Sequence, residues 1–407
     1  MSEWKEFRLS EIAEITTGFP FKGDKYSIKG VRVVRGENVT IGDLRWDTIK
    51  CWDEHFDQFD KYSLKNGDIV IGMDGSRVGK NRAQIRITDL PLLLAQRVAC
   101  VRAKKGFSQD LIAYLIKSYS FEKYVEMVHT GTSIPHISQK QIEEFTIVIP
   151  ASLPTQTAIA EILSSLDDKI ELNNKINQEL ENLAQTLFKQ WFIDFEFPAE
   201  NGNPYKSSGG EMVDSELGMI PKGWGVKKLN EVASCFDNKR VPLSSMERNL
   251  RKGIYPYYGA ASLMDYIDDY LFDDTLILMG EDGSVVDENG YPVLQYVFGK
   301  FWVNNHAHVL KGREISTELI LCLLKNTKIS DLVTGAVQPK LNQGNMNKIS
   351  IPTPFDLSDI SIVEDSISGY YDLIRSNIKE IIELTQLRDT LLPKLISGEL
   401  EVNHTKN

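Results

Sequence analysis

The chain of 407 residues has little cysteine and no long apolar segment. Its four cysteines, Cys51, Cys100, Cys235 and Cys322, are scattered without a CxxC pair, which argues against a disulfide framework and indicates reduced thiols in a cytoplasmic protein. No run of about 18 apolar residues is present, so we expect no membrane span. The first five residues do not form a charged-then-apolar signal sequence.

Basic charge is also scarce, because the net charge is −11. Its distribution is uneven: residues 1–150 hold 22 basic and 20 acidic side chains, residues 151–222 hold 5 and 12, and residues 223–407 hold 19 and 25. The acidic total weakens a nucleic-acid function without excluding it, since a local basic face is sufficient for binding. The basic cluster in residues 77–105 is either such a face or an ordinary solvated surface.

No familiar catalytic pattern is present. Gly75–Asn81 has three residues where a phosphate loop needs four, and Asn81 replaces the Ser/Thr that would hold magnesium. His306 and His308 alternate along an expected strand, but no third ligand follows at metal-site spacing, which favours packing or nucleic-acid contact over zinc. Neither Gly-x-Ser-x-Gly nor a Cys-His pair with family spacing occurs. We interpret the chain as non-catalytic.

The chain instead contains an internal repeat. A Thr-Gly-x-x-x-Pro segment begins at Thr130 and again at Thr334, 204 residues later, and an apolar-periodic helix follows each copy. Matching segments also begin at Trp4 and Trp224. Two similar halves predict a pseudo-twofold arrangement that meets a target with two sites.

Each half is predicted to be an α+β domain with a mostly β body. Strand-like runs and helical spacing alternate with turn signals. In the first half we expect strands at 31–34, 67–72 and 97–101 and a helix at 108–128. In the second half we expect strands near 275–278 and 301–310 and a helix at 317–325. Asp-Gly-Ser recurs at 74–76 and 282–284, either as a plain turn or as a DNA-facing loop.

Two long helices carry heptad-spaced apolar residues, which predicts an antiparallel coiled-coil pair. The predicted pairing positions are Leu163, Leu166, Ile170, Asn173, Leu180 and Leu187 in the first helix, and Ile367, Ile374, Asn377, Ile381, Leu384 and Leu391 in the second. We hypothesise that Asn173 and Asn377 form a central polar layer that fixes the register. The alternative is that both are exposed on a frayed seam.

Several segments together resemble one known family. These are 192–198 (FIDFEFP), 204–212 (PYKSSGGEM), 215–224 (SELGMIPKGW), 302–310 (WVNNHAHVL) and 391–400 (LLPKLISGEL). The chain thereby resembles the specificity subunit of type I restriction-modification systems over essentially its whole length. The resemblance implies domain 1 at 1–152, helix 1 at 153–195, a linker at 196–222, domain 2 at 223–355 and helix 2 at 356–400.

The same resemblance implies the function. Each target-recognition domain would read one half of a split, asymmetric double-stranded DNA site. The paired helices would space the domains and dock two N6-adenine methyltransferase subunits, joined by restriction subunits. S-adenosylmethionine, ATP and Mg would belong to those partner subunits, and this chain would hold no cofactor or metal.

The family does not fix which residues touch DNA, because recognition domains differ with their target. Arginine suits guanine edges and lysine suits phosphates. On that basis the candidate contacts are Arg77, Lys80, Arg82, Arg86, Arg248, Arg251, Lys252, Lys300 and His306. The alternative function is a scaffold that organises protein partners through the coiled coil and binds no DNA.

Overall fold

The computed structural model describes residues 3–53, 56–131, 134–335 and 337–402. The chain divides into two compact units, unit 1 (residues 1–170 and 382–407) and unit 2 (residues 171–381). Two long helices, α5 (Leu153–Phe192) and α10 (Ser361–Ser397), each contribute one part to either unit. Each unit is therefore completed by a segment from the other half of the sequence.

Unit 1 is built from short strands and four short helices before α5. Its strands are β1 (Trp4–Arg8), β2 (Ala13–Thr17), β3 (Val31–Val34), β4 (Ile41–Gly42), β5 (Cys51–Trp52), β6 (Ile69–Gly72), β7 (Arg82–Gln84), β8 (Leu92–Leu94), β9 (Val98–Ala103) and β10 (Thr146–Pro150). Its short helices are α1 (Leu9–Ile12), α2 (Gln109–Lys117), α3 (Tyr119–Val128) and α4 (Gln139–Glu143).

A five-stranded sheet in the order β2-β9-β6-β7-β4 forms the centre of unit 1. Side chains alternate across a strand, so β6 packs on both faces. Ile69 and Ile71 enter the core formed with α2, whereas Val70 enters the core on the other face. A separate three-stranded sheet, β5-β3-β8, lies over an aromatic cluster that includes Phe21, Trp52 and Phe59.

Unit 2 has a similar composition of elements. Its strands are β11 (Met212–Ser215), β12 (Gly218–Pro221), β13 (Trp224–Lys228), β14 (Ala233–Cys235), β15 (Lys252–Tyr258), β16 (Leu263–Ile267), β17 (Phe272–Gly280), β18 (Leu294–Val303), β19 (Ala307–Gly312) and β20 (Ser350–Pro354). Its short helices are α6 (Leu229–Val232), α7 (Ser245–Leu250), α8 (Thr317–Lys325) and α9 (Gln343–Met346). The main sheet has six strands in the order β14-β19-β17-β18-β15-β16.

A common frame recurs in both units. The strand that opens each unit pairs with the strand before its long helix in the same antiparallel register, Trp4 opposite Pro150 and Trp224 opposite Pro354. The next residue after the opening strand donates an equivalent backbone hydrogen bond, from Leu9 in unit 1 and from Leu229 in unit 2. The predicted fold class, two similar α+β domains with long helices, is confirmed.

Three elements differ from the sequence prediction. The helix expected over 108–128 is two helices, because the Ser118 hydroxyl accepts a hydrogen bond from the Phe121 N–H and starts α3 in an extended backbone conformation. The strand expected over 301–310 is interrupted by the turn between β18 and β19. The predicted linker contains the β11–β12 hairpin, in which Gly218, the first residue of β12, follows the turn with φ +88°.

The two long helices run antiparallel. In unit 2 the Asn173 side chain meets Glu380 and the Asn377 side chain meets Asn177, so one residue number falls as the other rises. In unit 1, Arg388 of α10 donates to Asp167 of α5 at 2.7 Å, and Tyr114 of α2 donates to the same carboxylate at 2.6 Å. Polar bonds as well as apolar residues therefore join the helices.

The two central asparagines make interhelical contacts, but not with each other. The Asn173 amide donates to the Glu380 carboxylate at 2.8 Å, and the Asn377 amide donates to the Asn177 carbonyl oxygen at 2.8 Å. Asn173 is buried. The expected layer is therefore two staggered polar contacts, because antiparallel packing places each asparagine opposite a different position.

Replacing Asn173 with leucine tests the register hypothesis. We expect Asn173→Leu to leave the helices paired but to broaden their alignment, since a buried asparagine specifies register at a cost in stability. Spin labels on the two helices within unit 2 should show a wider distance distribution. Asn174→Leu, at a neighbouring exposed position, is the matched control. An unchanged distribution in Asn173→Leu would reject the hypothesis.

Candidate nucleic-acid interface

In unit 1 the Asp-Gly-Ser turn after β6 rests on the repeated Thr-Gly segment. The backbone N–H of Gly75 donates to the Pro135 carbonyl at 3.1 Å, and the N–H of Ile137 donates to the Met73 carbonyl at 2.9 Å. Thr130 and His136 close the Thr-Gly segment with two reciprocal backbone bonds of 2.8 Å. We call the turn and the closed loop together the clasp of unit 1 (residues 74–76, 130–131 and 134–136).

Unit 2 has an equivalent clasp (residues 282–284, 334–335 and 337–340). The N–H of Gly283 donates to the Pro339 carbonyl at 3.1 Å, and the N–H of Leu341 donates to the Glu281 carbonyl at 2.8 Å. Thr334 and Lys340 close the loop by reciprocal bonds of 2.8 and 2.7 Å. The two motifs that repeat in the sequence are thus bonded to each other in both units.

The loop of each clasp requires glycine. Gly131 and Gly335 have φ angles of +90° and +89°. A Cβ atom at Gly131 would collide with the Ile134 carbonyl oxygen, and one at Gly335 would collide with the Gln338 carbonyl oxygen. The backbone conformation and the close approach both explain why this residue is glycine in each copy.

A basic side chain lies beside the aspartate of each clasp. In unit 1 the Arg97 Nη1 donates to the Asp74 carboxylate at 2.7 Å, and in unit 2 the His306 Nδ1 lies 2.6 Å from the Asp282 carboxylate. Both basic side chains are about half exposed or more, at 65% and 48%. His306 is a predicted contact, whereas Arg97 is absent from the candidate contacts and falls only within the range of the basic cluster, residues 77–105. Aligning the turns that precede β9 and β19 would have identified Arg97.

The other basic candidates of unit 1 differ in whether a carboxylate already pairs with their side chain. Arg77 is exposed in the turn after Asp74, and no side-chain partner of it is present among the described residues. The Lys80 ammonium lies 2.9 Å from the Glu122 carboxylate. The Arg86 guanidinium is 3.6 Å from Asp43. Arg77 is therefore the candidate in this set with the least electrostatic competition.

Arg82 is not retained as a candidate contact. Its side chain is buried, and Nη1 donates to the Ile116 carbonyl at 2.7 Å. A weaker 3.5 Å contact joins Nη2 to Glu122. Burial lowers the pKa of Arg82, although Glu122 opposes that effect. Arg82 points into the protein because it holds the end of α2 against β7.

The basic candidates of unit 2 lie among carboxylates. The Lys252 ammonium binds Asp265 at 2.7 Å, and the Arg251 guanidinium binds Asp268 at 2.9 Å. Arg248 is largely covered and donates to the Leu243 carbonyl at 2.7 Å. Lys300 is exposed, with its ammonium 4.7 Å from the Tyr270 ring centre. These partners neutralise much of the basic charge, in keeping with the acidic composition of this half.

His308 lies in the interior of unit 2 beside Cys235 and Asp237, and the three residues offer ligand atoms within 4.8 Å of one another. Both imidazole nitrogens are already bonded, Nδ1 to the Asp237 carboxylate at 2.6 Å and Nε2 to the Leu341 carbonyl at 2.8 Å. A carbonyl only accepts, so Nε2 carries a proton. Burial disfavours the charged ring, but the bonds to Asp237 and Cys235 outweigh it and raise the pKa of His308 to about 10. The arrangement is that of a buried ion pair.

The predicted helix-pairing residues are unequally buried. Leu163, Asn173, Leu180, Ile367 and Ile374 are buried. The others, Leu166, Ile170, Ile381, Leu384 and Leu391, are half-buried, and so are Leu187 and Asn377. This gradient is expected for an antiparallel pair whose outer sides face solvent.

Comparison with known proteins identifies the family. A family model described as the type I restriction modification DNA specificity domain matches residues 1–182 and 221–384. The chain belongs to this family. The predicted resemblance is thereby confirmed, and the chain is a non-catalytic specificity component of such systems.

Individual relatives agree along the whole chain. The type I restriction enzyme MjaIX specificity subunit of Methanocaldococcus jannaschii is 29% identical, covering 98% of this chain and 97% of the relative. The HindI specificity subunit of Haemophilus influenzae is 24% identical, covering 98% and 100%. The crystal structure of an S subunit from M. genitalium shares the fold, with a TM-score of 0.59, 18% identity and coverage of 99% and 97%.

The described helices were compared with the length and apolar character of membrane spans. Within the part of the chain that the structure describes, no helix combines the length and apolar character that crossing a bilayer requires.

Proposed function

We propose that this specificity subunit reads a split, asymmetric double-stranded DNA site, with one half-site recognised by each unit. The long helices set the distance between half-sites and dock two N6-adenine methyltransferase subunits, and restriction subunits join the assembly. S-adenosylmethionine, ATP and Mg act in those partners. The function of this chain is to choose the site at which they act.

The observation that carries this proposal is the contrast between repeated and unrepeated parts. The opening strands, the clasps and the long helices recur in both units. The elements between them differ: unit 1 adds a three-stranded sheet (β5-β3-β8), whereas unit 2 adds β16 at the edge of its main sheet. The neighbouring strand β15 pairs in parallel with β18 as β4 pairs with β7, so it belongs to the common frame. A common frame with two different inserts suits two different half-sites.

Avidity explains how modest contacts in each unit would be sufficient. Joining two weak binding modules raises overall affinity by roughly 10²–10⁴ when the span fits the target. This fits unit 2, where most of the candidate basic side chains are paired with carboxylates. Phosphate contacts from the methyltransferase subunits would add to the small basic surface of this chain.

Exchanging residues 1–152 for the first domain of another family member tests the proposal. We expect the reassembled complex to methylate sites in which one half-site is new and the other is unchanged. Methylation mapping of genomic DNA measures this directly, with the unexchanged complex as control. An unchanged methylation pattern would favour the scaffold function, because a protein-organising scaffold has no reason to alter the sequence chosen.

A further inference from the structure

Arg97 and His306 occupy the same position in the two frames. The Arg97 carbonyl accepts a hydrogen bond from the Met73 N–H, and the His306 carbonyl accepts one from the Glu281 N–H, both at 2.9 Å. Met73 and Glu281 each precede the aspartate of a clasp. The two basic side chains are therefore equivalent, although the surrounding inserts differ.

From this equivalence we infer that Arg97 and His306 are the base-reading residues of unit 1 and unit 2, and that Asp74 and Asp282 position them. The inference rests on the proposed function and names specificity-determining residues for it. Each aspartate contacts one nitrogen of its basic partner, and the other nitrogens of that side chain stay available for the target.

The hydrogen-bond geometry gives the recognition chemistry. Among the described residues, Arg97 uses only Nη1 on Asp74, so Nε and Nη2 remain available to donate. An arginine with free donors pairs bidentately with O6 and N7 of guanine in the major groove. His306 meets Asp282 through Nδ1, and its side chain is 48% exposed, which leaves Nε2 as the ring nitrogen available to a target. We assign a guanine contact to Arg97 and a single base-edge hydrogen bond to His306.

The backbone at Arg97 supports a positional role. Its φ angle is +66°, one of two non-glycine residues with positive φ among the described residues. A non-glycine residue in this conformation carries a conformational cost and is uncommon outside constrained sites. The Arg97 side chain is nevertheless 65% exposed, so burial of the side chain does not explain the conformation. The conformation belongs to the turn from Ala95 to Val98, in which the Val98 N–H donates to the Ala95 carbonyl at 3.3 Å, and this turn places the guanidinium beside Asp74.

The test uses the full chain assembled with its methyltransferase subunits. The probes are a DNA duplex carrying the mapped target and duplexes with each base pair of the target replaced singly. Arg97→Ala should weaken binding roughly 5- to 150-fold and should abolish discrimination at one guanine of one half-site. His306→Ala should relax one position of the other half-site only. Asp74→Asn should weaken discrimination at the Arg97 position to a smaller extent.

Two variants separate base reading from simpler roles. Arg97→Lys keeps the charge but loses the bidentate fork, so it should lose discrimination much as Arg97→Ala does. Lys5→Ala, which removes an exposed cation of unit 1 that pairs with Glu3, is the matched control and should leave binding unchanged. Thermal melting checks that every variant is folded.

Two results would overturn the inference. The first is a loss of affinity that is equal for all duplexes and lowers the salt dependence by about one charge, since that describes a phosphate contact. The second is unchanged binding in Arg97→Ala and His306→Ala. If the domain exchange still retargets methylation, the proposed function stands and only the inference fails.

Discussion

His308→Ala is expected to lower the free energy of unfolding of unit 2 by roughly 1.5–3 kcal/mol, because the Asp237 carboxylate loses its nearest charged partner and keeps only Arg240, at 3.3 Å. His308 is almost fully buried, and its ring bonds both Asp237 and the Leu341 carbonyl, which belongs to the segment that follows the unit 2 clasp. Loss of the ring would thus loosen the attachment of the clasp as well as the ion pair. Chemical denaturation of His308→Ala and of the wild-type chain, followed by tryptophan fluorescence, would measure the change.

The same variant should alter the pH dependence of stability. His308 has a raised pKa in the folded state, about 10 against an ordinary value of 6.5. Its contribution is complete below pH 6.5 and is lost as the pH rises towards 10, by about 1.4 kcal/mol per pH unit. For Asp237, burial acts against ionisation, but His308, the Val309 N–H and the charge of Arg240 together outweigh it and lower the pKa. The aspartate contribution is therefore lost at acidic pH.

His306→Ala is the matched control for this experiment. His306 is a half-exposed histidine in the turn just before β19, the strand that holds His308, so its removal should change stability by no more than about 0.5 kcal/mol. The wild-type protein should lose stability between pH 7 and pH 10 more steeply than His308→Ala. Equal slopes would show that the His308 proton does not stabilise the fold.

Lengthening both long helices by one heptad is expected to reduce methylation of the native site by roughly 10²–10⁴-fold, because the two units would no longer engage both half-sites together. The insertions go between Lys175 and Ile176 in α5 and between Ile378 and Lys379 in α10, which are opposite each other given the Asn177–Asn377 contact. The added length is about 10.5 Å at 1.5 Å per residue. Targets whose spacer is about three base pairs longer should be methylated instead.

A loop insertion provides the control for the helix insertion. Seven Gly/Ser residues placed between Asn201 and Gly202 lengthen an exposed turn without changing the helix pair. We expect this variant to keep the native spacer. Methylation mapping of both variants distinguishes the ruler function from tethering, since helix insertion with an unchanged spacer would contradict a ruler.

The elements common to both units were predictable because their sequence motifs occur twice in the chain. The segments at Trp4 and Trp224 form equivalent strands, and the two Thr-Gly segments form equivalent loops. The heptad residues lie on antiparallel helices as expected. The boundary between α2 and α3 was harder to predict. The apolar periodicity runs on through Ser118, but the Ser118 hydroxyl caps a new helix there.

The candidate contacts were less predictable because residue type does not reveal partners. Arg82 matches the composition of a DNA-binding loop, but its guanidinium is used by the Ile116 carbonyl inside the protein. Lys252 and Arg251 precede aromatic residues as a binding surface would, yet aspartates from distant positions pair with them. The equivalence of Arg97 and His306 becomes visible only when the backbone hydrogen bonds of the two clasps are compared.

The sharing of the long helices between the units has a consequence for synthesis on the ribosome. Leu395 of α10 belongs to the same buried cluster as Ile159 and Leu163 of α5, more than 200 residues earlier. Domains generally fold as they emerge, at about 5–20 residues per second. Unit 1 therefore has an uncovered apolar stripe on α5 for tens of seconds, until the end of α10 is translated and packs against it. A shortened translation product would keep that stripe exposed to solvent, where chaperones and proteases recognise apolar surface.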